Sequence, residues 1–321
     1  MPRIETALTR LLGIEHPILT APMLGAAGGN LANAVSHAGA FGIIAPGTDP
    51  AAIRRESVAA GNARTGIGFI AWQLDRNPAA LDAALETAPV AIMLSFGNSV
   101  AYFPRIKASG RLIICQVQTL AMARAAADAG ADIIVAQGRD AGGHGGATRG
   151  TIGLVPAVVD AVAPIPVVAA GGIADGRGLA AALMLGAAGV SIGTRFVATR
   201  ESQWPDYRKA VLIAGQADNT MQSRLLDTLN DPAWPREFPA RFLRNATSAR
   251  WEGKEAELET VADAERARYQ ATPADDVAQR LVLAGEGLDL ISDIPSARDV
   301  VERTVAEALA VLRGGAAAIR D

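Results

Sequence analysis

Apolar runs of four to seven residues recur along the chain, each followed by small or polar residues and then by an alanine-rich helical pattern. That alternation marks βαβ units. It predicts eight strands, at Pro17–Met23, Phe41–Pro46, Gly66–Ala71, Val90–Ser95, Leu112–Val117, Asp132–Gln137, Pro166–Ala170 and Gly189–Ile192. Between them, Asn30 is placed to N-cap LANAVSHA, Pro78 to open AALDAALE, and Thr119 to cap LAMARAAADA before Gly130 ends it. Runs such as IIVAQ and PVVAA are continuously apolar, as strands of a parallel sheet covered on both faces should be. A doubly wound open sheet would give much of the same local pattern. The count of eight, with the glycine turns described below, selects a (β/α)8 TIM barrel over residues 1–200.

After Thr199 the pattern changes to ESQWPDYRKA, SRLLDTLNDPAWPREFPARFLRN and the charged KEAELETVADAERARY, none of which supplies another βα unit. Residues 201–295 are therefore read as a mostly helical appendage, either covering a barrel face or acting as a lid over the site. Within 296–321, Val300, Val301, Val305, Leu309 and Leu312 fall at helical spacing and predict a last helix packed back on the barrel.

Half of the 321 residues are hydrophobic and 20% are charged, enough apolar material for a large core. The formal net charge is -3, with the two signs interspersed, so no basic field exists to attract nucleic acid or an anionic membrane surface. The single cysteine, Cys115, excludes an intrachain disulfide and fits a reducing compartment. The start MPRIETALTRLLGIEHP lacks the apolar core of a secretory signal, and no run approaches the roughly 18 apolar residues that span a bilayer. The expectation is a cytoplasmic protein with small-molecule partners. On that expectation, the acceptor pattern Asn245-Ala246-Thr247 is not glycosylated. The sequence sets no oligomeric state and is compatible with a homo-oligomer.

The chemistry concentrates in three loops. Ala170-Gly171-Gly172-Ile173-Ala174-Asp175-Gly176 follows the seventh strand, and Gly193-Thr194-Arg195-Phe196 follows the eighth. In a barrel these two turns commonly bind phosphate through backbone N–H groups and a helix N-terminus. One such turn is usually only a tight βα connection, whereas two in succession point to an anion. Gln137 to Gly146 follows the sixth strand and is too glycine-rich for a helix, so it is a loop at the same end. It carries His144, whose imidazole can take or give a proton near neutral pH. His16 and His37, at a strand start and on the first helix, read as packing or surface residues. No metal-ligand spacing, nucleophile elbow or Walker phosphate loop is present, which favours an organic cofactor.

Together, Pro17-Ile18-Leu19-Thr20-Ala21-Pro22-Met23, Ala141-Gly142-Gly143-His144 and the two glycine turns resemble the nitronate monooxygenase family, formerly called 2-nitropropane dioxygenases, from about Ile14 to Thr199 and more loosely beyond. The resemblance implies an FMN enzyme that oxidises alkyl nitronates, such as propionate 3-nitronate, with molecular oxygen to a carbonyl compound and nitrite, without NAD(P)H. It places Ala21, Pro22 and Met23 along the isoalloxazine ring, with Gln137, Gly142, Gly143 and His144 on its substrate side. It puts Gly171, Gly172, Gly193 and Thr194 about the phosphate, with Ala170 also at the cofactor, and makes His144 the base on neutral nitroalkanes or the group that orients the anionic nitronate. The chain departs from the family pattern at Gly66-Ile67-Gly68, where an asparagine is frequent, and at Cys115-Gln116, where some relatives carry a lysine. Gln116 can replace that donor. The related flavin-dependent enoyl-acyl-carrier-protein reductases and NAD(P)H:quinone reductases share several motifs, but the reductases favour two glycines before the methionine of the first strand. A non-redox phosphate-binding barrel is the alternative from another class.

Overall fold

A computed structural model describes residues 3–146 and 148–317. Among the described residues eleven strands occur in chain order: β1 (Ile18–Thr20), β2 (Gly42–Ile44), β3 (Thr65–Ile70), β4 (Ala91–Ser95), β5 (Leu112–Val117), β6 (Ile133–Gln137), β7 (Gly143–His144), β8 (Val167–Ala170), β9 (Gly189–Ile192), β10 (Thr220–Ser223) and β11 (Ala240–Leu243). Eight form one sheet in the order β1-β9-β8-β6-β5-β4-β3-β2. Phe41 accepts from Thr20 N at 3.1 Å and donates to Ile18 O at 2.9 Å, so the two edge strands also meet and the barrel closes. All eight predicted strands are present, shortened by up to four residues where the chain turns out of the sheet.

The continuously apolar runs serve two cores. On β6, Ile133 and Val135 fill the barrel while Ile134 and Ala136 face the helix layer. On β4, Ala91 and Met93 point inward, and Ile92 and Leu94 outward. This is the alternation of a strand with no wet face. The helix Ala7–Leu12 adds Leu8 and Leu12 to the interior cluster. Its Thr6 and Thr9 form a reciprocal capping box, which leaves few backbone donors unmet at that helix start.

Pro78, Thr119 and Gly130 act as predicted; Thr119 takes the Met122 N–H and Gly130 is left-handed with φ 89°. Asn30 does not cap. The helix Gly29–His37 starts earlier, and its Gly29 N–H goes to the Glu56 carboxylate at 2.9 Å. A tertiary carboxylate thus replaces a local cap. The C-terminal helix begins at Ala297 and packs on the helices Gly176–Met184 and Gly29–His37, with Val300, Val301 and Val305 buried.

The appendage is mostly helical among its regular elements, but it is not only helical. β10 and β11 pair antiparallel, and β11 pairs with β7 through Ala240 with His144 and Arg241 with Gly143. The glycine loop after β6 is therefore partly a strand, whose partner lies about a hundred residues downstream, beyond the reach of local pattern reading. Among the described residues no helix is long and apolar enough to cross a membrane, and no cluster of His, Cys, Asp and Glu could hold a metal.

Candidate active site

A cavity of 420 Å³ opens at the C-terminal ends of the barrel strands. It gathers every residue singled out above for the site: Ala21, Pro22 and Met23 after β1; Gln116 of β5; Gln137 of β6; Gly142, Gly143 and His144; Ala170, Gly171 and Gly172; and Gly193 and Thr194. The two glycine turns are neighbours because β8 and β9 pair, Ala170 opposite Ser191. His16, buried before β1, and His37, exposed at a helix end, stand apart from this cavity.

The turn after β8 requires glycine. Gly171 has φ 109° and Gly172 φ 70°, and a Cβ on Gly171 would lie 2.8 Å from Thr151 Oγ1. Among the described residues no hydrogen bond uses the N–H groups of Gly171, Gly172, Ile173 or Gly193, which leaves donors free for an anion. The helix that follows is not free. Asp175 accepts from the Arg177 and Gly178 N–H groups, and Glu307 from Gly176 N at 2.8 Å. The expected contribution of a helix N-terminus to phosphate binding does not come from this helix, because two carboxylates already occupy it. Arg195 likewise turns away: buried, it binds Asp293 and the carbonyls of Ala198 and Asp293.

Gly68 accounts for one departure from the family pattern, since a Cβ there would collide with the Pro22 ring. At the ends of β5 and β6 lies an amide cluster: Gln137 Oε1 accepts from Gln116 Nε2 at 3.1 Å and Gln118 Nε2 at 2.8 Å, while Gln137 Nε2 donates to the His144 carbonyl at 3.1 Å. Ser191 Oγ, buried in the cavity wall, has no partner. Cys115, next to Gln116 in β5, instead faces the helix layer outside the cavity, and burial pushes its thiol up to about 12 against the opposing hydrogen bond with Ser99.

His144 is held from three sides. Its Nε2 lies 2.7 Å from Asp227 Oδ1, its ring stacks on Trp234 with centroids 3.4 Å apart and planes 5° apart, and Phe96 meets its edge. Asp227 is fully buried, with Oδ2 unpartnered apart from Arg224 Nη1 at 3.7 Å. Arg241 ties the backbone in place: burial lowers its pKa, Glu286 opposes that at 2.7 Å, and its guanidinium also reaches the Arg139 carbonyl and Thr220 Oγ1.

Sequence reasoning missed Asp227 behind His144, and the cavity-lining Trp234, Phe96 and the returning wall of Leu283, Gly285 and Gly287. The isolated Phe96-Gly97 after β4 was a faint signal, and Phe96 has the rare φ of 56° for an aromatic residue. Gly285-Glu286-Gly287 was another. A Cβ on Gly285 would lie 2.8 Å from Gly142 N, and one on Gly287 2.8 Å from Gly172 O. Nothing local marks Asp227 or Trp234, whose importance comes only from the appendage folding onto β7.

The family pattern described as nitronate monooxygenase matches residues 79–307. A nitronate monooxygenase of Neurospora crassa is 32% identical, covering 95% of this chain and 93% of that protein. A (3aS,4S,5R,7aS)-5-hydroxy-7a-methyl-1-oxo-octahydro-1H-indene-4-carboxyl-CoA dehydrogenase of Mycobacterium tuberculosis is 33% identical over 99% of both chains. Among solved structures, FabK from Thermotoga maritima superposes with a TM-score of 0.87 at 31% identity, covering 98% of this chain and 100% of that one. These relatives set aside the non-redox barrel. With the glycine turns, the histidine and the match over most of its length, the chain belongs to the nitronate monooxygenase family and is a flavin-dependent oxidoreductase.

Proposed function

We propose that the protein binds FMN in this cavity and oxidises alkyl nitronates and their parent nitroalkanes with molecular oxygen, releasing a carbonyl compound and nitrite. The observation that carries the reading is the braced His144 imidazole opening onto the same cavity as the free N–H groups of the two glycine turns. FMN fits the residues present. Gly171, Gly172, Gly193 and Thr194 would hold the phosphate, Ala21, Pro22 and Met23 would flank the ring, and Gln116, Gln137 and the unpartnered Ser191 hydroxyl would meet its polar edge. Bound FMN supplies the electron acceptor.

The chain's own contribution is proton transfer and orientation. An Asp227 carboxylate can only accept, so Nε2 of His144 carries the hydrogen and Nδ1 keeps the basic lone pair. Nδ1 takes the proton from the carbon beside the nitro group, and Asp227 balances the imidazolium that results. General-base assistance of this kind is worth roughly 10²–10⁴-fold. Trp234 fixes the ring plane and keeps water off one face. For a substrate that arrives already ionised, no proton need be removed and His144 only orients it.

A second reading is favoured by the Mycobacterium tuberculosis relative, named as a dehydrogenase of a carboxyl-CoA. There the same base would act beside a thioester. The test is anaerobic mixing of FMN-loaded protein with a nitroalkane, an acyl-CoA, NADH or NADPH while the flavin spectrum is followed. Bleaching by the nitroalkane, lost in His144→Ala with flavin retained, is expected. Bleaching by an acyl-CoA or a nicotinamide alone would replace this reading with a dehydrogenase or reductase.

A further inference from the structure

Arg241 joins the appendage to the end of the barrel that carries the cavity. Its side chain, on β11, is 5% exposed and reaches three separate segments. It pairs with Glu286 Oε1 at 2.7 Å, donates from Nε to the Arg139 carbonyl in the loop after β6 at 3.2 Å, and donates from Nη1 to Thr220 Oγ1 on β10 at 3.0 Å. A guanidinium suits this place because its donors are fixed in one plane and point apart. A buried cation is costly without its partners, so separating these segments leaves the charge uncompensated.

The segment held through Glu286 touches both glycine turns. Glu286 N donates to the Asp140 carbonyl at 2.9 Å, Gly285 N donates to Thr194 Oγ1 at 3.1 Å, and Gly287 packs against the Gly172 carbonyl. The contact at Thr194 has the sharpest consequence. A hydroxyl that accepts from an N–H keeps its own hydrogen to donate, and Thr194 lines the cavity. Gly285 thereby sets the Thr194 hydroxyl as a donor to an anion held by the turns. Arg241 and Glu286 themselves do not line the cavity, so whatever they do there passes through Gly285.

Resting on the reading of this cavity as an FMN site, we infer that Arg241 is a positioning residue for the cofactor. Through Glu286 it holds the 283–287 segment against Thr194, so that FMN binding and the docking of β10 and β11 on the barrel are coupled. Such coupling is reciprocal. A docked appendage tightens FMN, and bound FMN suppresses local opening of the appendage.

Hydrogen exchange on the wild type, with and without FMN, tests one direction. It reads Thr220–Ser223 and Ala240–Leu243, none of which lines the cavity. Their exchange is expected to slow about fivefold with FMN, and slowing confined to the cavity-lining segments would overturn the inference. Flavin fluorescence titration of Arg241→Met tests the other, since the only charge this leaves unpaired is the exposed carboxylate of Glu286. FMN affinity should fall about tenfold, the loss of one hydrogen bond to a charged group. Arg241→Lys should recover little, because an ammonium does not span three partners. Made on Thr194→Val, the same Arg241→Met change should cost about threefold or less, because the hydroxyl it acts through is gone. Unchanged affinity, or an equal loss in both backgrounds, would overturn the inference and leave the FMN reading intact. Should Arg241→Met not fold, the exchange measured on the wild type decides alone. A wild type that binds no FMN removes the cofactor reading, and this inference with it.

Discussion

His144 and Asp227 are separated by more than eighty residues, yet their side chains meet at 2.7 Å in a setting where Asp227 is wholly buried. Asp227 is a positioning residue. It fixes which imidazole nitrogen is basic and offers a counter-charge when the proton arrives. Asp227→Asn should therefore lower kcat for a neutral nitroalkane by about a hundredfold, with FMN still bound, while turnover of the preformed nitronate changes far less. Steady-state assays on the two forms of one nitroalkane measure the split, and an equal loss on both would assign Asp227 a merely structural role. At this scale the sequence was legible only where chemistry is local. His144 stood out because it sits on a glycine loop; Asp227 and Trp234 look like ordinary residues of an amphipathic stretch until tertiary folding brings them to the ring.

The elements were more transparent, because a strand with no wet face must be apolar throughout and a βα turn around an anion needs glycine. The eight strands, the Thr119 cap and the Gly130 stop follow from those two constraints. Asn30 misled because the helix start is satisfied by Glu56 from a different element. β7, β10 and β11 escape notice because they are short and lack the flanking βα alternation that marks the equally short β1, β2, β8 and β9. Two predictions belong here. Gly172→Val forces a β-branched residue to φ 70° and brings a Cβ to 3.2 Å from that of Asp140, distorting the turn proposed to hold the phosphate. FMN affinity should fall at least tenfold by fluorescence titration, and unchanged affinity would move the phosphate elsewhere. Leu12→Ala removes a fully buried side chain from the barrel-interior cluster and should cost about 2–5 kcal/mol in denaturant unfolding.

Across the whole molecule, the barrel, the appendage and the last helix are joined by charged clamps as well as by apolar contact. Asp293 accepts from Arg303 and from the buried Arg195, linking the segment before the last helix to the turn after β9. Its carboxyl lies below the usual carboxylate range, chiefly through the Arg303 hydrogen bond, with burial opposing and the Arg195 charge assisting. Because folding depresses this pKa, the stabilisation is fully present above the unfolded value of about 4 and is lost as pH falls through the folded value. Asp293 is nearly half exposed, so the contribution is modest. Wild type should be more stable than Asp293→Asn at neutral pH, with the difference shrinking on acidification; a pH-independent gap would contradict this. The most direct measurement of the central claim is a crystal structure of the protein with FMN. The account predicts the phosphate on the N–H groups of Gly171 to Ile173 and Gly193, with the flavin ring beside His144. A phosphate bound away from those turns, or a ring out of reach of the imidazole, would contradict it.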